Sequence, residues 1–214
     1  MEDVSSVQIQ LHFLRDQHID DGSLWAHFAK CSRANPSVSV GARAVWALEW
    51  YLIRYKHVEL SFPLDLALSM ALPKLDLSNC APGARVCASA DGVNGTTFGA
   101  RLLTRANYDR SIGINVPRED ACRMLRFADE HAKKPFQHAF YQTFAFPVWP
   151  DGNTFYCVQF VVQCLQVGGL MRGVHPSALS GDGLLELATR YYVTRIVPRP
   201  AEIQEFAAQR SKGL

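Results

Sequence analysis

The chain lacks most of the features that would assign a function cheaply. It has no CxxC pair and no Cys/His cluster at zinc-ligand spacing, although it holds 6 cysteines, at 31, 80, 87, 122, 157 and 164. Charge of one sign is missing: 22 Lys and Arg stand against 20 Asp and Glu, a net charge of +2. That balance provides no electrostatic footprint for nucleic acid or an anionic membrane surface. No apolar run is long enough to span a bilayer. Nothing at Met1-Glu2-Asp3 reads as a signal peptide, so the cysteines are expected to be reduced thiols in a cytoplasmic or nuclear compartment. Internal repeats, low-complexity tracts and a glycine-rich phosphate loop are also missing.

What is present is a well-supplied core and a clear change of period along the chain. Hydrophobic residues make up 48% and charged residues 20% of 214, which fits a single domain over residues 1–214. Val7, Ile9, Leu11 and Phe13 alternate with polar residues, as a half-buried strand requires. Asp20-Asp21-Gly22-Ser23 caps a short helix carrying Leu24, Trp25 and Phe28, and a second helix is expected over 42–54. Tyr55 to Phe62 reads as a strand. Residues 63–83 form an irregular insertion with a helical turn or two at Leu64 to Leu72. Arg85 to Ala90, Thr96 to Leu103 and Ser111 to Val116 are further strands, separated by Asp91-Gly92 and Asn94-Gly95 turn signals. Pro117 fits the first position of a helix that stops before Pro135. A helix follows Thr154 and ends at Gly168-Gly169, another covers Gly181 to Tyr192, and an amphipathic tail occupies 200–214. The class is α+β.

Cys157 carries the chemistry. It lies in Thr154-Phe155-Tyr156-Cys157-Val158-Gln159-Phe160-Val161, a polar stop followed by a helix-period apolar stretch. The thiol is thereby expected in the first turn of a helix, where backbone N–H groups lack intrahelical partners and an anion is favoured. A nucleophilic thiolate needs a base. Of the 7 histidines, His57 has the informative setting, Tyr55-Lys56-His57-Val58-Glu59-Leu60-Ser61-Phe62. Period-2 alternation puts His57, Glu59 and Ser61 on the face opposite Val58, Leu60 and Phe62, so Glu59 is the candidate to orient the imidazole.

The other candidates have plainer readings. Cys164, on the same helix, is the example of an inert core thiol. His131 reads as a cation at a helix C-terminus and His138 as part of an aromatic wall that includes Phe136, Phe140 and Trp149. His12, His18, His27 and His175 show no partner pattern.

The strand His57-Val58-Glu59-Leu60, then a helix, Lys134-Pro135-Phe136, a loop and Phe155-Tyr156-Cys157-x-x-Phe160-Val161, together resemble the circularly permuted papain-like hydrolases of NlpC type. The resemblance spans roughly residues 5–190 in element order. It implies a permuted papain-like fold, a central antiparallel sheet packed against helices, with the nucleophile at a helix N-terminus. Such a protein is a cysteine hydrolase of peptidase or amidase type, acting through Cys157 and His57 on a peptide, isopeptide or acyl substrate by an acyl-enzyme. The backbone N–H of Cys157, with Tyr156 as an additional donor, is assigned to the oxyanion, and no metal or organic cofactor is implied. Val158 and Gln159 stand where the family often has Ser-Glu. Gly99 falls where an orienting side chain is expected, which leaves Glu59, Ser89 or a backbone carbonyl for that task; Glu59 is preferred. A lipid or thioester acyltransferase, and a silent module of the same fold that binds a protein partner, are the alternatives.

Overall fold

In a computed structural model the described residues are 6–15, 55–91, 94–103, 108–135, 153–192 and 195–197, with single positions between 25 and 47. Strands β1 (Ser6–Arg15), β2 (Tyr55–Pro63), β3 (Arg85–Asp91), β4 (Gly95–Arg101), β5 (Arg110–Pro117) and β6 (Arg195–Val197) form one sheet. Its order is β4-β3-β2-β1-β5-β6, and every pairing is antiparallel. Helix α1 (Leu64–Leu68) follows β2, α2 (Arg118–His131) follows β5, and α3 (Cys157–Val167) and α4 (Gly181–Tyr191) come later, with a 3-10 turn at Pro176–Ala178. The α+β class and the antiparallel sheet packed by helices are as the sequence implies.

Strand alternation separates two faces. Leu11 opposite Leu60, Phe13 opposite Val58, Ile9 opposite Ile114 and Leu60 opposite Ala88 build the apolar face, and all of these are buried. Met124, Leu125 and Ala128 of α2 and Phe160, Val161, Cys164 and Leu165 of α3 complete the same core. Burying a large aliphatic or aromatic side chain contributes roughly 1.5–3 kcal/mol, so this face supplies the main driving force for folding. The opposite face is polar yet also closed to solvent in part: His12, Glu59, Ser61, Cys87 and Ser89 are all buried.

Two expectations need correction, and one strand was not expected. Pro117 ends β5 and caps α2, which starts at Arg118; the proline ring fixes φ in a range that suits either place, and the observed φ is −54 with an extended ψ of 142. His131 ends α2, but its Nδ1 lies 2.9 Å from the Phe127 carbonyl oxygen and its ring stacks on Phe127. Burial lowers its basicity, so it closes the helix as a hydrogen-bonding ring and not as a cation. β6 carries no sequence signal, because three residues are too few to display a period. Of the helix expected near Trp25, only Trp25, Phe28 and Ala29 are described, all helical. Most of the 42–54 helix, the aromatic wall with His138, and the 200–214 tail lie outside the described residues, as do His18 and His27.

The start of α3 is tied to the sheet through a chain of backbone bonds. Thr96 N–H donates to Lys134 O and Lys133 N–H to Thr96 O, both at 2.8 Å, and Phe155 N–H donates to Pro135 O at 3.1 Å. Gly95 permits this: its φ is +70, and a Cβ there would lie 2.2 Å from Lys134 O. Gly95→Ala is therefore expected to destabilise the fold by about 2–4 kcal/mol, from left-handed strain plus backbone displacement, measured by urea denaturation. A change below about 0.5 kcal/mol would mean that the Lys134-Pro135 attachment is not made in solution.

Candidate active site

β2 presents His57 and Glu59 on the polar face, two residues apart, and α3 begins with Cys157. The imidazole is the meeting point. Its Nε2 lies 3.1 Å from Glu59 Oε1 and 3.2 Å from Ser89 Oγ. Ser89 gives its own hydroxyl proton to the Val58 carbonyl oxygen at 2.8 Å, so towards His57 it acts as acceptor. Nε2 must then carry a hydrogen, shared between Glu59 and Ser89. His57 also hydrogen-bonds the Cys157 side chain. With Nε2 engaged by Glu59 and Ser89, Nδ1 is the ring nitrogen left to serve the thiol.

Burial opposes charge on His57. Hydrogen bonds to Cys157 and to Glu59, with the negative charge that both can carry, outweigh burial and push the imidazole up to about 10. Glu59 shows the reverse balance. Burial favours its neutral form, but the hydrogen bond from His57 and the Arg101 cation hold it down at about 2. Arg101 Nη2 forms an ion pair with Glu59 Oε1, and the Tyr108 hydroxyl donates to Oε2 at 2.6 Å. Burial and the Glu59 charge keep Tyr108 protonated, well above its ordinary range. Glu59 thus gives stability that is present above about pH 4.3 and lost as pH falls towards 2.

The residues singled out in the sequence are brought together in part. Cys157, His57 and Glu59 form one connected set, and Ser89, the alternative to Glu59, meets the same ring nitrogen. Cys157 is the first residue of α3 and is 8% exposed. Tyr156 fits its oxyanion assignment poorly: its hydroxyl donates to Pro176 O at 3.4 Å and its N–H to Gln159 Oε1 at 3.3 Å. Both donors are committed elsewhere. Gln159, at the position where the family often has Glu, is fully buried and satisfies the backbone just before Cys157. Cys164 is fully buried, its Sγ 3.4 Å from Met124 O, and burial raises its thiol strongly. Gly99 has no side chain to offer, and a Cβ there would lie 3.1 Å from Asp76. Arg101, two residues on, serves the same face instead.

His12 has partners after all. It lies between Ser111 Oγ on Nδ1 and Ser61 Oγ on Nε2, each at 2.8 Å, with the Tyr108 ring tilted against it at a centroid distance of 4.6 Å. Arg85 Nε donates to Ser61 Oγ at 2.9 Å, which leaves the Ser61 hydrogen to point at His12 Nε2. Arg101, Tyr108 and His12 were not identified as site residues because they come from β4, β5's approach and β1, and only strand pairing unites them. The one available signal was parity: His12 lies directly opposite Glu59 in the β1–β2 register.

Among the described residues, no group of three His, Cys, Asp or Glu side chains is arranged to hold a metal ion. Cys80, Cys87, Cys122, Cys157 and Cys164 form no disulfide. No family model, curated protein or solved structure matches the chain.

Burial, reinforced by the Arg85 and Arg101 cations against the pull of Glu59, lowers His12 to about 4. A lowered histidine destabilises the fold as pH falls from the unfolded value near 6.5, because only the unfolded chain takes up the proton. Between pH 7 and 4.5, wild type should lose about 2–3 kcal/mol more stability than His12→Gln, as measured by urea denaturation at both pH values. Parallel pH dependences in the two proteins would place a charged His12 in the folded state.

Proposed function

We propose that the chain is a thiol-dependent hydrolase of amidase or peptidase type, with Cys157 as nucleophile, His57 as base and Glu59 as the residue that orients His57. One observation carries this reading: the imidazole of His57 bonds Cys157 on one side and a buried carboxylate on the other. That is the logic of an activated nucleophile, in which a base meets the thiol and a third group fixes the base. The order of elements, with the His strand before the Cys helix, is that of the circularly permuted papain-like hydrolases, and the permuted papain-like fold belongs to this proposal.

In the mechanism, the Cys157 proton resides on His57 Nδ1 before substrate binds, and this imidazolium is balanced by the thiolate and by Glu59. The thiolate attacks the carbonyl carbon of a peptide, isopeptide or other acyl substrate, forming a C–S bond as the C=O electrons move to oxygen. The N–H of Cys157, at the positive end of α3, supports that oxyanion. Collapse of the intermediate expels the amine, which takes the proton from His57, and leaves a thioester. His57 then removes a proton from water, the hydroxide attacks the thioester, and the thiolate leaves to be reprotonated. A reducing intracellular compartment, cytoplasmic or nuclear, suits the unbridged cysteines; no helix among the described residues is long and apolar enough to cross a membrane.

Iodoacetamide labelling resolved by mass spectrometry tests the reading. Cys157, although 8% exposed, should label faster than the exposed Cys80 at pH 7. His57→Ala should slow Cys157 labelling by about 10²-fold or more, and Glu59→Gln by about tenfold. Cys80 labelling first, with Cys157 inert, would favour the silent binding module.

Cys164→Ser separates packing from chemistry. It should cost about 1–3 kcal/mol by burying a hydroxyl in the core, while Cys157 labelling per folded molecule is retained. Loss of Cys157 reactivity in folded Cys164→Ser would mean that the α3 core and the site are not separable.

A further inference from the structure

Glu59 has two carboxylate oxygens and three partners, and the way they are shared is informative. Oε1 is shared by His57 Nε2 at 3.1 Å and by the Arg101 ion pair, while Oε2 takes the Tyr108 hydroxyl at 2.6 Å. A guanidinium beside a carboxylate prefers a bidentate grip, with one N–H on each oxygen. Such a grip would draw the carboxylate towards Arg101 and off His57. Arg101 reaches Oε1 alone here, and Tyr108 sits on Oε2.

Tyr108 is itself firmly seated. Asp109 N–H donates to Phe13 O at 2.9 Å, which fixes the backbone beside β1. Its ring packs on His12, and His12 is clamped at both nitrogens by Ser61 and Ser111. Arg101 has a second attachment, a hydrogen bond to Cys87, and its side chain is 41% exposed. It therefore has the freedom to re-seat that Tyr108 lacks.

We infer that Tyr108 is a positioning residue for the chemistry at Cys157: by occupying Glu59 Oε2 it denies Arg101 a bidentate grip and keeps the carboxylate on His57 Nε2. The inference rests on the thiol-hydrolase reading and adds to it a competition between Arg101 and His57 for one carboxylate. The titratable and charged groups that face Glu59 are His57 from β2, His12 from β1, Cys87 from β3, Arg101 from β4 and Tyr108 ahead of β5. Cys157 lies across His57, and Arg85 acts on His12.

The test is the rate of Cys157 alkylation by iodoacetamide as a function of pH, with thermal unfolding recorded for each variant. Tyr108→Phe deletes one oxygen and keeps the ring on His12. It should move the acid limb of the profile up by about one pH unit, which is a tenfold slowing at any pH on that limb. Arg101→Lys cannot fork, so Tyr108→Phe combined with Arg101→Lys should recover to within about threefold of wild type. This rescue by a second substitution is the signature of competition, and a merely structural role for Tyr108 would not produce it. An unchanged profile in Tyr108→Phe overturns the inference, as does a slowed profile with no recovery in the double variant. If Tyr108→Phe alone does not fold, the comparison moves to the Arg101→Lys background, where Tyr108→Phe should change the rate by less than about threefold; a tenfold loss there overturns it. Failure of the hydrolase reading is distinct, since Cys157 of wild type would then show no preferential alkylation at all.

Discussion

The buried carboxylate of Glu59 is the constraint around which the polar face is arranged. At 3% exposure an unpaired carboxylate would be strongly disfavoured, so the fold has to bring cations and donors to it. They arrive from different elements: His57 from the same strand, Arg101 from β4 and Tyr108 from the approach to β5. Each partner depends on the carboxylate in turn. The position of the Arg101 guanidinium follows from an anion at that point, and the same anion adds to Cys157 in favouring charge on His57 and to burial in keeping Tyr108 protonated.

Two histidines show how local this influence is. His57 and His12 both neighbour Glu59 on one sheet face, yet one is raised to about 10 and the other lowered to about 4. Distance from the carboxylate by register does not separate them, since His12 is the residue directly opposite Glu59. Hydrogen bonding does. His57 hydrogen-bonds the Cys157 side chain and gives Nε2–H to the carboxylate oxygen, which together reward a positive ring, whereas both nitrogens of His12 meet neutral hydroxyls. Without a charged acceptor, burial decides, and the Arg85 and Arg101 cations add to it.

This contrast also marks what could be read from the sequence. Alternation within β1 and β2 is a local property, so the strands, the polar stripe of His57, Glu59 and Ser61, and the helix start at Cys157 were legible. Arg101, Tyr108 and His12 were not, because their roles exist only once the order β4-β3-β2-β1-β5 is formed. Gly99 illustrates the difficulty. It was the position at which an orienting side chain was sought, but the parity that matters runs on to Arg101, and Gly99 serves instead to admit Asp76 against the sheet edge. Gln159 was legible as a departure from Glu and illegible as a compensation, since its carbonyl oxygen can accept the Tyr156 N–H as a carboxylate would.

β4 joins the two halves of the site. At its start, Gly95 admits Lys134, Thr96 bonds Lys133 and Lys134, and the next residue, Pro135, accepts from Phe155, two residues before Cys157. At its end, Arg101 meets Glu59. The start of α3 and the carboxylate are therefore referenced to one strand, although they lie on segments far apart in sequence. A seven-residue strand is stiff over that length, with a rise of roughly 3.3 Å per residue, so it fixes the separation between its two attachments. β3 braces the same geometry from the neighbouring position, where Ser89 links Val58 O to His57 Nε2. Cys157 and His57 consequently meet through paired backbones and not through flexible side-chain reach, which is the support a base and nucleophile require to stay in register.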